Sequence, residues 1–389
     1  MPDRSFLAWP FFEPRHRELA NELQAWCEAN LADRYSDDLD DECRSLVREL
    51  GGAGFLKLSV ADGAHRPDVR SLAIARETLA YHGALADFAF AMQGLGSGAI
   101  SLFGTVEQKR EWLPRVASGE AIAAFAMTEP ECGSDAANMS TSAMRDPGSG
   151  SGAGDEWVIV GEKTYISNGG IADFYLTFAR TGEGEGSRGL SAFIVPAEAV
   201  EVVERIDVIA PHPLARIRYD NVRIPADAIV GEPGEGFRIG MEVLNLFRVT
   251  VAAAALGFAR RALDEALAFA KGRRLGSATL ADNAVTQAKL ADMATAVDAS
   301  ALLIYRAAWQ QDVGGTDHRR AAAMAKLHAT ESAQAVIDAA VQMHGGAGVT
   351  RGVQVESLYR DIRALRIYEG ASEVQRQIIA KDLLKGGAS

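Results

Sequence analysis

Glu369 stands in the run Ile367-Tyr368-Glu369-Gly370-Ala371-Ser372-Glu373-Val374-Gln375-Arg376. Ser372 and Gln375 have the spacing of a capping box, and Val374, Ile378, Ile379 and Leu383 supply an apolar stripe behind it, so a helix is predicted to begin here. Glu369 then occupies the turn ahead of that helix, where Gly370 lets another molecule approach the backbone. A carboxylate so placed can serve as a base on a bound ligand; the plain alternative is a solvated glutamate in a loop. Two further stretches bear on that choice. Ala126-Met127-Thr128-Glu129-Pro130-Glu131-Cys132-Gly133-Ser134-Asp135 offers small residues, hydroxyls and backbone amides suited to close contact with a ring or a phosphate. Tyr165-Ile166-Ser167-Asn168-Gly169-Gly170 ends a strand-like run with an aromatic, a hydroxyl and a turn. Taken singly, the first is an ordinary Pro/Gly loop and the second a plain strand end.

The elements that must position these stretches fall in the order helices, strands, helices. From about Glu13 to Arg115 apolar positions recur at helical spacing, as in His16, Leu19, Leu23, Trp26 and Cys27, and Ser71–Ala86 reads as a second helix. The acidic run Asp37–Glu42 reads as a solvated helix start or loop. Gly94, Gly96 and Gly98 lie in an apolar run and mark close helix packing or room for a ligand, with packing the simpler reading. Thr105 and Gln108 form a capping box before a short helix. From Ala121 the character changes. Glu156–Asn168 reads as two short strands joined by a Gly161-Glu162 turn, and residues 174–179, 190–195, 200–209 and 214–224 read as further strands of a small barrel or sandwich. Residues 146–155 and 181–189 read as flexible Gly/Ser-rich connections. Gly234-Glu-Gly236-Phe-Arg-Ile-Gly240 misses the dinucleotide fingerprint in spacing and in context. The segments 236–271, 284–312, 318–343 and 353–385 then read as four long helices of a bundle, the third closed by Gly345-Gly346.

Composition narrows the function. The chain has 389 residues, enough for two or three domains, with 48% apolar and 24% charged residues. A net charge of −12 argues against a nucleic-acid binder, while leaving room for a small anion in a locally basic pocket. Three cysteines without CxxC spacing and seven histidines without a paired motif predict neither disulfide framework nor metal site. There is no run of 18 apolar residues and no signal-like start, which predicts a cytoplasmic protein without membrane insertion.

Together the motifs resemble one family, the acyl-CoA dehydrogenases. Its signatures A-x-T-E-P-x-x-G-S-D, W/F-I-T/S-N-G, Q-x-x-G-G-x-G and I-Y-E-G-T-S-E-I-Q-R are matched in order at residues 126–135, 165–169, 342–348 and 367–376, with Leu290–Met293 and Asp220–Pro225 as further landmarks. The resemblance implies a multidomain α+β fold: an all-α N-terminal domain over residues 1–120, a β-barrel middle domain over 121–232 and a C-terminal four-helix bundle over 233–389. It also implies FAD, an acyl-CoA substrate, a homotetramer and electron-transfer flavoprotein as acceptor. Carried over by position, Met127 and Thr128 meet the flavin pyrimidine edge, Ser167 bonds near N5, and Tyr165 flanks the ring. Gly133 and Ser134 approach the pyrophosphate or the CoA. Gln342 and Gly346 reach the cofactor of a neighbouring subunit, and Glu373 lies near its adenosine. Tyr368, Gly370 and Arg248 belong to the substrate side, Arg248 also holding the base, and Glu369 matches the base itself.

Departures from the pattern are specific. Ala371 replaces the usual Thr, removing one hydroxyl contact to FAD. The R-x-x-F-G stretch is represented by Gly272-Arg273-Arg274-Leu275-Gly276, one residue short, and Arg273 is its candidate inter-subunit contact. Asn245 stands where the family has an acidic substrate contact, and Pro211–Leu214 departs from the common loop. Leu246 and Phe247 are not acidic, so the base is not on that helix. The reaction implied is α,β-dehydrogenation of an acyl thioester to the trans-2-enoyl product, Glu369 taking the α-proton and flavin N5 the β-hydride. An oxidase of the same fold using oxygen and a non-catalytic protein on this scaffold remain alternatives; Glu369 counts against a flavin hydroxylase.

Overall fold

The structure, a computed structural model, describes residues 3–32, 34, 38–61, 65–147, 155–314 and 318–385. Asp37 of the acidic run and most of the 146–155 connection lie outside the described residues. The chain forms two compact units, one of Met1–Arg34, Asp68–Asp87 and Phe247–Ser389, the other of Tyr35–Pro67 and Phe88–Leu246. They cut across the division by sequence character, since residues 68–87 group with the C-terminal helices.

The second unit carries the strands. Its helices are α2 (Leu39–Gly52), most of α4 (Ala84–Phe103) and α5 (Val106–Ser118). Thr105 accepts from the Gln108 backbone N–H while the Thr105 N–H donates to the Gln108 side chain, so the expected capping box is present. The strands are β1 (Ala123–Ala126), β2 (Ser142–Asp146), β3 (Glu156–Ser167), β4 (Phe174–Arg180), β5 (Leu190–Pro196), β6 (Glu201–Arg205), β7 (Leu214–Pro225) and β8 (Ile229–Val230). They form one eight-stranded sheet in the order β6-β7-β3-β2-β4-β5-β8, with β1 parallel on β4. Its core is built on Trp157, Ile159, Ile166, Tyr175, Phe193 and Tyr219.

Residues 156–167 make one strand rather than two. Gly161 (φ +149°) is a register irregularity against β7 and not a turn, and Thr141 occupies the space a side chain there would need. Gly96 is a packing glycine: a Cβ would lie 2.6 Å from that of Ala123.

The first unit holds α1 (Pro14–Asn30), α3 (Val69–His82), the body of α6 (Gly236–Gly272), α7 (Ala284–Val313), α8 (Arg319–His344), α9 (Gln354–Leu365) and α10 (Ser372–Lys385). Asp68 caps α3, accepting from Ser71 N–H at 2.8 Å, and α3 ends at His82, short of the expected Ala86. Small residues bring the helices close; a Cβ at Gly257 of α6 would overlap the Glu77 carbonyl of α3. Over its best 18-residue window α6 has a mean hydropathy of 1.5, which by length and composition would suit a membrane span, yet 78% of that window is buried in the protein, as in a core helix. After Gly272 the short β9 (Arg274–Leu275) and β10 (Ala278–Thr279) pair as a hairpin around Gly276 (φ +61°), the form taken by the shortened stretch.

The fourth expected helix, 353–385, is two helices separated by residues 366–371. Ser372 is not the cap of α10. It is the first helical residue, and its hydroxyl donates to Glu331 Oε1 at 2.6 Å. The Gln375 side chain instead reaches back to the Gly370 carbonyl at 2.7 Å, and the Gln375 backbone N–H donates to Ala371.

Candidate active site

Glu369 sits where α9 has ended and α10 has not begun. Its φ is +50°, a left-handed conformation that a non-glycine residue rarely holds, and Gly370 follows at +93°. Glu369 is half-buried as a residue, but its Oε2 is sealed from solvent and has no hydrogen-bond partner among the described residues. Burial pushes its carboxyl above the usual range, opposed by the charges of Arg76, Lys326 and Arg248; Asp87 adds to the rise. An ionisable oxygen buried and left without a donor is costly to stability and suited to accepting a proton.

The cations around it come from three helices. Arg76 of α3 is buried and fixed by Asp87 through two bonds of 2.8 and 2.7 Å, with Thr250 Oγ1 at 3.2 Å from its third nitrogen. Arg248 of α6 is buried, which lowers its pKa, while the Glu369 charge acts the other way. Lys326 of α8 is 0% exposed and donates to the carbonyls of Tyr368 and Gly370. Arg248, Tyr368 and Gly370 belong to the same unit as Glu369. Arg76 and Lys326 were not singled out by sequence. The signal for Lys326 was available: it is a lone charge at a buried spacing between Ala322, Ala329 and Ala333.

The other unit assembles the ring-contact stretches. Met127 and Thr128 leave the end of β1, and both of their carbonyls are used internally. Lys163 Nζ donates to Met127 O at 3.1 Å and Thr164 N–H to Thr128 O at 2.9 Å. Lys163 is itself paired with Glu129 Oε1 at 2.9 Å, and Glu129 accepts from Ser140 and Thr141. Burial draws Lys163 down to about 8, while Glu129 is held down at about 2 by the Lys163 charge and its hydrogen bonds, against the effect of its own burial. No local spacing marks this buried pair behind the Met127–Thr128 backbone, since Glu129 and Lys163 are 34 positions apart in sequence. Along β3, Ile166 and the following Asn168 are buried, and Asn168 Nδ2 donates to Ala123 O at 2.9 Å. Between them Ser167 is half-buried, and Tyr165 keeps 63% of its surface exposed with φ +54°. Gly133 and Ser134 are exposed, with open space where a Cβ on Gly133 would point.

The remaining expected contacts differ in exposure. Asn245 is half-buried on α6, whereas Arg273, Gln342, Gly346 and Glu373 are exposed. Glu373 lies 3.8 Å from Arg376, and Gly346 faces open space.

Three family models match the chain: the acyl-CoA dehydrogenase N-terminal domain over residues 13–120, the middle domain over 124–222 and the C-terminal domain over 234–384. A probable acyl-CoA dehydrogenase, FadE25, of Mycobacterium tuberculosis is 34% identical over 379 residues, 95% of each chain. The human mitochondrial short-chain specific acyl-CoA dehydrogenase is 38% identical over 346 residues, 87% of this chain and 82% of that one. A glutaryl-CoA dehydrogenase from Mycobacterium smegmatis solved with FADH2 superposes with a TM-score of 0.85 at 27% identity, covering 96% of this chain and 95% of the other.

The exposed Tyr165 side chain, the pinned Met127–Thr128 backbone and the open surface at Gly133 and Ser134 fit a flavin ring and its phosphates, and the sealed carboxylate of Glu369 fits a proton acceptor. With its length covered by these three models and its fold shared with a flavin-bearing relative, the chain belongs to the acyl-CoA dehydrogenases, FAD-dependent oxidoreductases.

Proposed function

We propose that the protein converts an acyl-CoA to its trans-2-enoyl-CoA, with Glu369 as the base. The observation that carries this is the Glu369 carboxylate: buried, without a hydrogen-bond donor on Oε2, raised in pKa by burial, and set on a left-handed turn. Glu369 takes the α-proton, and its own backbone N–H donates to the thioester oxygen as charge builds there. Arg76, Arg248 and Lys326 keep enough of the carboxylate ionised to act. FAD, when bound, supplies the two-electron acceptor at N5 for the β-hydride. Thr128, Tyr165 and Ser167 hold and orient its ring, with Met127 beside them and Gly133 and Ser134 toward the phosphates. Arg273, Gln342, Gly346 and Glu373 contact a neighbouring subunit's cofactor. Their exposure in a single chain supports that role. With this reading go a homotetramer, electron-transfer flavoprotein as acceptor and a cytoplasmic setting.

The test is anaerobic flavin reduction across a panel of acyl-CoAs. The wild-type flavin bleaches with at least one of them. Glu369→Gln, nearly isosteric, keeps FAD and ligand but reduces at least ~10²-fold more slowly, the usual size of general-base catalysis. A rate within about threefold of wild type removes Glu369 as the base. Oxygen consumption by the reduced enzyme at a rate matching turnover would replace the dehydrogenase with the oxidase.

A further inference from the structure

Lys326 occupies an unusual place for a lysine. Along α8 the buried positions are Ala322, Ala323, Ala325, Ala329, Thr330, Ala333, Val336, Ile337 and Ala340, and Lys326 is the one charged residue among them. Its side chain is 0% exposed, and no carboxylate forms a salt bridge with it among the described residues. A buried ammonium in that state is unfavourable unless something holds it. What holds it here is backbone: Nζ donates to the Tyr368 carbonyl at 3.3 Å and to the Gly370 carbonyl at 2.9 Å. Those two carbonyls belong to the residues on either side of Glu369. One cation thus ties both ends of the two-residue left-handed turn, φ +50° at Glu369 and +93° at Gly370. That conformation is costly for a glutamate and persists only where its surroundings impose it.

We propose that Lys326 is a positioning residue for Glu369, its ammonium fixing the turn through the carbonyls of residues 368 and 370 and placing a buried positive charge beside the carboxylate. The Ala-rich face of α8 leaves room for the lysine stem to reach the turn, and Gln375 assists from α10 with a neutral bond to the same Gly370 carbonyl at 2.7 Å. The two supports differ in kind. Gln375 holds geometry alone; Lys326 holds geometry and supplies charge. Burial brings Lys326 down to about 8, with the Glu369 charge opposing that fall, as expected of a cation coupled to this carboxylate. The charged groups that bear on the pair are Arg76 of α3 and Asp87 of α4, Arg248 of α6, Glu331 of α8 and Glu373 of α10. Of these, Arg76 is also paired with Asp87, whose own charge acts on Glu369 in the opposite direction.

The catalytic half of this inference rests on Glu369 being the base; the electrostatic half does not. The experiment therefore reads Glu369 directly. In the FAD-loaded enzyme, infrared difference spectra over a pH titration follow the protonated carboxyl band that is missing from Glu369→Gln, which gives the protonation midpoint of Glu369. Lys326→Met, similar in reach but neutral, raises that midpoint by about one pH unit or more. Gln375→Leu, which removes the neutral support, leaves it within about 0.3 unit. In anaerobic flavin reduction Lys326→Met lowers the limiting rate by roughly 10- to 100-fold and moves the acid limb upward with the midpoint, while substrate affinity changes less than about threefold. Lys326→Arg keeps a cation and holds the midpoint near wild type, which preserves the test if the methionine variant fails to fold. An unmoved midpoint in Lys326→Met, or equal shifts in Lys326→Met and Gln375→Leu, overturns the proposal. If Glu369→Gln still reduces flavin at the wild-type rate, the base assignment fails, and the midpoint continues to judge Lys326 independently.

Discussion

Glu369, the proposed base, is buried at the expense of the fold, and that expense is measurable. Its carboxyl titrates above the usual 4.5 in the folded protein because burial disfavours the charged form. A folded-state pKa above the unfolded one means that the native state holds its proton longer. The group's contribution to stability is then complete below the unfolded pKa and is lost as pH rises through the folded one. Gln resembles the protonated acid and cannot ionise. Glu369→Gln is therefore expected to unfold at a higher temperature than wild type at pH 8, with the difference vanishing by about pH 4. Calorimetry of the FAD-loaded proteins at the two pH values checks this; equal unfolding temperatures at pH 8 would show that ionised Glu369 costs nothing. Glu369, Tyr165 and Ser167 could be put forward from the sequence because the chemistry proposed for them is carried by the side chain named in the motif. Lys326 and Lys163 were not, because each works through backbone carbonyls of another element, and no spacing along the chain reports which carbonyls a lysine meets.

Element boundaries show the same division between local and tertiary information. The Thr105–Gln108 capping box is local chemistry and appears as read. Ser372 and Gln375 have the same spacing, yet Glu331 of α8 captures the serine hydroxyl and the Gly370 carbonyl captures the glutamine. A tertiary partner has outcompeted the local cap. Gly161 misled in a similar way, since a glycine followed by a glutamate between apolar runs reads as a turn, while the cross-strand partners Ser142–Asp146 and Leu214–Pro225 keep β3 continuous through it. The glycine is required by its φ of +149° and by Thr141, whose Cα would lie 2.7 Å from an added Cβ. Gly161→Ala is expected to destabilise by about 1–3 kcal/mol through overpacking. Because β3 ends in Tyr165 and Ser167, the same change should also lower FAD content. Urea unfolding and flavin absorbance per chain measure the two effects, and an unchanged urea midpoint would mean that the bulge accommodates a side chain.

At the scale of the whole molecule, the helices-strands-helices order was legible from periodicity alone, whereas the grouping into two compact units was not. Residues 68–87 join the C-terminal helices through contacts such as the Asp312 carboxylate on the Val69 and Arg70 N–H groups, which lie about 240 positions apart in sequence. The C-terminal helices also leave apolar side chains outside. Leu302, Trp309 and Val313 are 44%, 37% and 54% exposed on α7, at spacings of seven and four that set them along one face. Met324 on α8 and Leu383 and Leu384 on α10 are exposed as well. Such residues suit burial against another copy of the chain, in keeping with the proposed homotetramer and with the exposed Arg273, Gln342 and Gly346. Burying a large apolar side chain contributes about 1.5–3 kcal/mol. The double substitution Leu302→Glu, Trp309→Glu should therefore weaken association by roughly 10²- to 10⁴-fold. Sedimentation at micromolar concentration is expected to show a tetramer for wild type and smaller species for the variant. If the neighbouring subunit completes the cofactor site, the variant also loses FAD on gel filtration while its far-UV spectrum stays unchanged. A wild-type monomer that keeps full flavin, or a variant monomer that keeps it, would confine the cofactor site to a single chain and remove Arg273, Gln342 and Gly346 from it.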